Sequence, residues 1–383
     1  MFILLYKKMS HRLKNLFKPR LEPMNKICIH SKNIISNYNY LKSLQPNAAL
    51  FPVLKSNAYG HGLELMTKIL NKTDAPYLIV DSFPEYQIVK DNSKKKILVL
   101  WETLTKNYKK FDFSRTTFCV YNIETIKYLA KLKKHINIHI FLDTWMHREW
   151  VDENELINVL EYLKDFKKVN IEWVLSHFYS ADDVNHEWMQ KQIKLFKKMY
   201  HTIIDYGCNP KWKHIWSSAW LIKMKDDFFN AYRPGLSLYG YSPLAENDEY
   251  SKLTKQLKPA LTIKSKIVSM HDIAVGEWIS YNWTWTTEDE SKVASIPFGY
   301  FEWLPRSASN KIVFKHKKNF VKQIGTICMN LCCIKIDDWE IWDDIEIIGL
   351  EWENTIYNLA NNSDRLIYEI LVNMDKNIRR ETI

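Results

Sequence analysis

The chain reads as an α/β protein, with an N-terminal (β/α)8 barrel followed by a C-terminal, mostly-β domain. Three observations predict this. From about residue 25 to 256, short apolar runs alternate with longer stretches of helical periodicity, as in a parallel sheet wrapped by crossover helices. After about Leu257 the helical stretches stop, and short strand-like runs follow one another between turn residues. Within the first stretch, Lys55 stands where the early apolar run Phe51 to Leu54 ends, which in a barrel is the face that carries chemistry.

Residues 1–24 form a basic leader with Pro19 and Pro23. The expected barrel strands are 26–30, 50–54, 77–81, 97–100, 117–121, 138–143, 171–176, 214–217 and 235–240. Helical patterns lie between them, such as 123–132, 153–166 and 188–206. The barrel domain is expected over 25–256. In the second domain, 257–383, strands are expected at 260–269, 292–297, 311–314, 332–336 and 345–350, with a helix at 363–374.

A chain of 383 residues has room for two domains, and a hydrophobic fraction of 46% argues against disorder. The net charge of +10 comes from lysines spread along the chain and mixed with acids. No RNA-recognition, zinc-finger or helix-turn-helix signature accompanies them, so a nucleic-acid partner is not expected. No apolar run approaches the length of a membrane span, and Lys7-Lys8 interrupts the short apolar start. The six cysteines form no Cys-x-x-Cys pair and read as reduced thiols of a cytoplasmic protein, and no spacing suggests a metal site.

A lysine at a strand end can form a Schiff base with a carbonyl compound. The string Val53-Leu54-Lys55-Ser56-Asn57-Ala58-Tyr59-Gly60-His61-Gly62 closely resembles the pyridoxal-lysine signature of the alanine racemase family, and the resemblance runs from about Pro23 to the C-terminus. It implies that Lys55 carries pyridoxal 5'-phosphate and also serves as one of two acid/base groups, with Tyr59 on the cofactor phosphate. The string 138–148 resembles a family strand ending in Asp-Thr-Gly-Met-x-Arg. Arg148 then meets the cofactor ring oxygen and the substrate carboxylate, tasks that suit a bidentate, permanently charged guanidinium. Phe141 stands where many members have a carbamylated lysine that orients this arginine. By the same resemblance His177 stacks on the cofactor ring and Ser218 contacts the phosphate. Arg233 meets the pyridine nitrogen, and Gly235 and Leu236 offer backbone N–H groups.

In the second domain, 276–282 resembles the segment with the second catalytic group, here Tyr281. Racemisation needs a base on one face of Cα and an acid on the other, and a phenol, with its usual pKa of about 10, needs local help to serve near neutral pH. In this family that tyrosine comes from the partner subunit, which implies a homodimer with shared sites. Tyr300 resembles a substrate-gate tyrosine, and Met329 lies in a carboxylate-binding turn. Thr382 stands where some members place a phosphate-binding tyrosine. The implied activity is interconversion of L-alanine and D-alanine, supplying D-alanine for peptidoglycan. A broader amino-acid racemase and a non-catalytic pyridoxal-phosphate protein are the alternatives.

One anomaly remains. The chain has 9 glycines and 15 tryptophans, against a usual glycine share of about 7%. Trp145, Trp150, Trp220, Trp278, Trp283, Trp303 and Trp342 fall where the family strings carry glycine, and Trp101 and Trp173 join them. The pattern predicts UGA codons that the source organism reads as glycine and that are written here as tryptophan. A decayed enzyme is the alternative, against which the intact Lys55, Arg148, His177, Arg233 and Tyr281 argue.

Overall fold

The computed structural model describes residues 21–148, 151–179, 187–215, 218–223, 226–338 and 340–383. Trp150 lies outside the described residues.

The barrel strands are apolar because both faces are covered. After β1 (Lys26–Ile29), β2 (Ala49–Leu50) pairs in parallel with β9 (Ala231–Tyr232). Strands β3 (Tyr77–Val80), β4 (Lys96–Val99), β5 (Thr116–Val120), β6 (Ile136–Phe141), β7 (Val169–Leu175) and β8 (Trp212–His214) form a six-stranded parallel sheet in sequence order. A parallel bridge between Val53 and Ile79 joins the two sheets at one seam. At the other, the Asn230 N–H donates to the Lys213 carbonyl (3.2 Å) and the Lys213 N–H to Asn230 Oδ1 (2.9 Å). The interior is filled by rings: Phe51, Tyr77 and His139 lie 4.3, 4.6 and 3.9 Å from Trp173, centroid to centroid.

The outer helices start at side-chain caps. Asn122 Oδ1 accepts from Thr125 N–H ahead of the helix Ile123–Lys131, and Asp152 with Glu155 forms a capping box on the helix Glu153–Leu163. The latter buries Leu156, Val159, Leu160 and Leu163, one face at helical spacing.

The second domain is a nine-stranded sheet built mainly from β10 (Leu261–Lys266), β11 (Ser269–Ile273), β12 (Ser291–Ile296), β13 (Val313–His316), β14 (Asn319–Ile324), β15 (Cys332–Lys335) and β16 (Asp344–Ile348). The remaining two members are β1 and β17 (Arg379–Thr382): β1 lies between β10, antiparallel, and β17, parallel. This corrects the expectation that 26–30 opens the barrel. Its apolar run is equally compatible with either sheet, and only partner hydrogen bonding decides between them.

Two further expectations change. The string 235–240 is not a strand: β9 ends at Tyr232, Pro234 lacks an N–H for a ladder, and Leu236–Tyr239 form a 3-10 turn closed by Gly240 at φ 92°. The helix expected at 363–374 is two, Ile356–Ser363 and Ile367–Val372, divided at Asp364 with φ 54°.

Candidate active site

The N–H of Leu54 donates to the Ile79 carbonyl (2.7 Å), fixing the chain at the mouth of the barrel just before Lys55. The next four residues, Ser56 to Tyr59, all take left-handed φ values of 56°, 54°, 54° and 50°. Each such L-residue costs roughly 1–2 kcal/mol, and strain of this kind persists only where the surroundings enforce it. Here they do. Asn57 N–H donates to Glu85 Oε1 (3.2 Å), and Asn57 Oδ1 accepts from Leu63 N–H (2.9 Å). Gly60 continues the turn at φ 78°, pressed so close to the helix Ile367–Val372 that a Cβ would lie 2.1 Å from the Leu371 oxygen. The turn leaves Tyr59 buried, its ring 5.0 Å from Tyr239.

Arg148 is presented by the turn after β6. Asp143 Oδ1 accepts the N–H groups of Trp145, Met146 and His147 (2.9, 3.1 and 3.2 Å), so one carboxylate folds the whole turn. Phe141, the last residue of β6, stands on the same wall as Arg148.

Arg233 follows β9 and is buried. It donates to His214 Nδ1 (2.5 Å), the Ser176 carbonyl (2.7 Å) and His177 Nδ1 (3.5 Å). A guanidinium only donates, so both ring nitrogens accept and both imidazoles are neutral. Burial pushes Arg233 down to about 10, which leaves it protonated at neutral pH. Burial, reinforced by Arg233, Arg148 and Lys55, holds His177 down to about 3. Ser218 Oγ accepts from the N–H groups of Gly235 (3.0 Å) and Ser237 (3.3 Å). A Cβ on Gly235 would lie 2.6 Å from the Tyr59 hydroxyl, so glycine is what lets that hydroxyl reach the same end of the site.

Lys55, Tyr59, Arg148, His177, Ser218, Arg233, Gly235 and Leu236 line one cavity of about 370 Å³. Its charged lining groups are Lys55, Arg148 and Arg233, all cationic, which suits an anionic ligand. Two hydroxyls and a glycine-bearing turn gather at one end, an amine sits within the same space, and an obligate donor is buried beside the neutral histidines. That donor set fits pyridoxal phosphate: a cradle for its phosphate, a lysine for its aldehyde, a partner for its ring nitrogen.

Tyr281, Tyr300 and Met329 do not line this cavity. They lie together on the second domain: Thr326 Oγ1 donates to the Tyr281 carbonyl (2.8 Å), and the Tyr300 and Phe301 N–H groups donate to the Cys328 and Met329 carbonyls (3.0 and 2.8 Å). All three are exposed, Tyr281 by 67%. Thr382 is in β17, paired with Ile29, and is not part of the cavity wall. Tyr368 is, with its ring 6.4 Å from that of Tyr59. The sequence reading missed it because it lies within a segment read only as a helix.

The family descriptions "Alanine racemase, N-terminal domain" and "Alanine racemase, C-terminal domain" match residues 29–243 and 260–382. The chain is 28% identical over 356 residues to the alanine racemase of Vesicomyosocius okutanii, covering 92% of this chain and 97% of that one. It is also 28% identical to alanine racemase 1 of Clostridium acetobutylicum, over 91% and 92%. The solved alanine racemase of Clostridium difficile 630 superposes with a TM-score of 0.88 at 26% identity, covering 95% and 97%. With its cavity built for the same cofactor, the chain belongs to the alanine racemase family, isomerases that interconvert L-alanine and D-alanine with pyridoxal phosphate.

Proposed function

We propose that Lys55 and Tyr281 of the partner subunit are the two acid/base groups of this interconversion. The observation that carries the reading is the convergence of eight residues, scattered between positions 55 and 236, on one cationic cavity. Bound there, pyridoxal phosphate supplies the electron sink that acidifies the substrate Cα–H. Tyr59, Ser218 and the backbone at Gly235 and Leu236 hold its phosphate end, with Tyr368 alongside. His177 faces the ring. Arg233 would face the ring nitrogen as an obligate donor; because a guanidinium keeps its proton, it would leave that nitrogen unprotonated and the sink weaker. Arg148 and the backbone of the partner's Met329 receive the substrate carboxylate. Lys55 takes or returns the Cα proton on one face and the partner's Tyr281 on the other, while the partner's Tyr300 narrows the entrance.

The homodimer is part of this proposal. Tyr281, Tyr300, Phe301 and Met329 make an exposed apolar and aromatic cluster of the kind that interfaces cover. The chain has no helix, among the described residues, long and apolar enough to cross a membrane. A cytoplasmic enzyme making D-alanine for peptidoglycan agrees with that.

Purified protein supplied with pyridoxal phosphate should form D-alanine from L-alanine, and borohydride should fix the cofactor on the peptide containing Lys55. A label on another lysine would remove the core of the proposal.

A further inference from the structure

The catalytic lysine has a close carboxylate neighbour that the family resemblance did not single out. Asp81 follows β3, the strand beside the Lys55 segment, and its Oδ2 is 3.8 Å from Lys55 Nζ. Its Oδ1 is buried and, among the described residues, has no hydrogen-bond partner. Its position is built: the Asp81 N–H donates to Glu85 Oε2 (3.0 Å), and the other oxygen of Glu85 holds Asn57 in the left-handed turn. One side chain thus ties the Asp81 backbone and the Lys55 turn together. Burial pushes Asp81 up to about 6, against the pull of Lys55 and Arg148 and with the push of Glu85; these are the charged groups facing it. The backbone of Asp81 is held by a dedicated contact, one carboxylate oxygen is unpaired among the described residues, and the other faces the lysine.

We propose that Asp81 is a positioning residue for Lys55, its carboxylate holding the lysine amine beside the substrate Cα whenever that amine is free and balancing the cationic wall that Lys55 and Arg148 form. This rests on the assignment of Lys55 as the cofactor lysine. The test compares native holoenzyme with Asp81→Asn and Asp81→Glu. In Asp81→Asn, kcat should fall about 10-fold or more with KM within about two-fold, and Asp81→Glu should recover part of it. In the native protein the visible spectrum of the bound cofactor should change as pH falls through about 6, and this change should be absent in Asp81→Asn. If the spectra titrate alike and kcat is within about two-fold, Asp81 has no such role. If the native protein takes no borohydride label at Lys55, the cofactor assignment fails instead. Should Asp81→Asn not fold, Asp81→Ser is measured the same way, and loss of folding in both would make Asp81 structural and overturn the proposal.

A second inference rests on the backbone alone. Among the described non-glycine residues with positive φ, four are tryptophans: Trp145 at 79°, Trp283 at 49°, Trp303 at 127° and Trp342 at 76°. Left-handed φ is uncommon for any side chain and a clear outlier for a bulky one. All four belong to the positions where the family strings carry glycine. At Trp303 the indole Nε1 even finds the Ile370 carbonyl, so the ring is accommodated, yet the backbone conformation is one only glycine takes freely. In the barrel, Trp173 stacks 3.9 Å from His139, whose two ring nitrogens have no partner among the described residues; a glycine at 173 would open space for water beside them.

We infer that positions 145, 283, 303 and 342 are glycine in the protein as its source organism makes it, encoded by UGA. Sequencing of the coding DNA should show UGA at these four codons, and mass spectrometry of protein isolated from its source should show glycine. UGG codons or tryptophan masses would overturn the inference. The chain with all four changed to glycine should melt several degrees above the chain with tryptophan, and an equal or lower melting temperature would count against it.

Discussion

The residues that read as functional fall into two regions built on opposite principles. In the barrel, eight of them share one cavity wall, and several are fixed by hydrogen bonds: Arg233 on His214 and Ser176, Ser218 under Gly235, the Lys55 turn on Glu85. On the second domain, Tyr281, Tyr300 and Met329 are held through their backbones while their side chains face outward. A preorganised pocket and a preorganised but uncovered patch agree with the proposal of a site divided between two copies.

The largest expected effect breaks this division. Tyr281→Phe keeps the ring and removes the hydroxyl proposed to transfer the proton. Racemisation should fall about a thousand-fold or more, on the order of 4 kcal/mol, with cofactor still bound. Mixing Lys55→Ala with Tyr281→Phe subunits should restore part of the activity, because half of the sites in a mixed dimer are then intact. Proven subunit exchange without recovery would mean that both groups serve within one chain.

How much of this was legible in the sequence follows the same division. The barrel strings announce themselves because their residues are constrained twice, by chemistry and by backbone geometry, and the eight residues they single out all line the cavity. What stayed hidden depended on distant pairing. Nothing in Lys26–Ile29 tells that β1 hydrogen-bonds to Leu261–Lys266 rather than to a barrel strand. Tyr368 lies more than 300 residues from Tyr59, and only the fold brings the two rings to one cavity. At 235–240 the apolar alternation resembled a strand, but Pro234 and the left-handed Gly240 decide for a tight turn. Asp81 was read as the end of a strand, since a single carboxylate carries no pattern until its neighbour is known.

A smaller effect sharpens the comparison through pH. The barrel buries His61, His139 and His214, and His177 lines the cavity beside Arg233. Burial holds His61 and His177 down to about 3 and lowers the other two as well, with Arg233 adding its repulsion at His139, His177 and His214. A histidine with a depressed folded pKa contributes stability that is complete above its unfolded pKa of about 6.5 and is lost as pH falls, because the unfolded chain then binds the proton that the folded chain refuses. One pH unit below 6.5 costs roughly 1.4 kcal/mol for each such group. Asp81 works in the opposite sense: its folded pKa is raised, so its contribution favours the folded state toward acid and is lost as pH rises through about 6. Burial raises Glu102 as well, so two carboxyls stand against four histidines and the net direction is acid lability of the barrel. Among the described residues the second domain buries no comparable set of histidines; its His316 sits 3.0 Å from Asp343. Hydrogen exchange at pH 5.5 against pH 7.5 should therefore show protection lost first in β3–β9, while the amides of β10–β16 hold. Uniform loss across both sheets would show that the domains unfold as one unit and that the buried histidines do not set where acid acts.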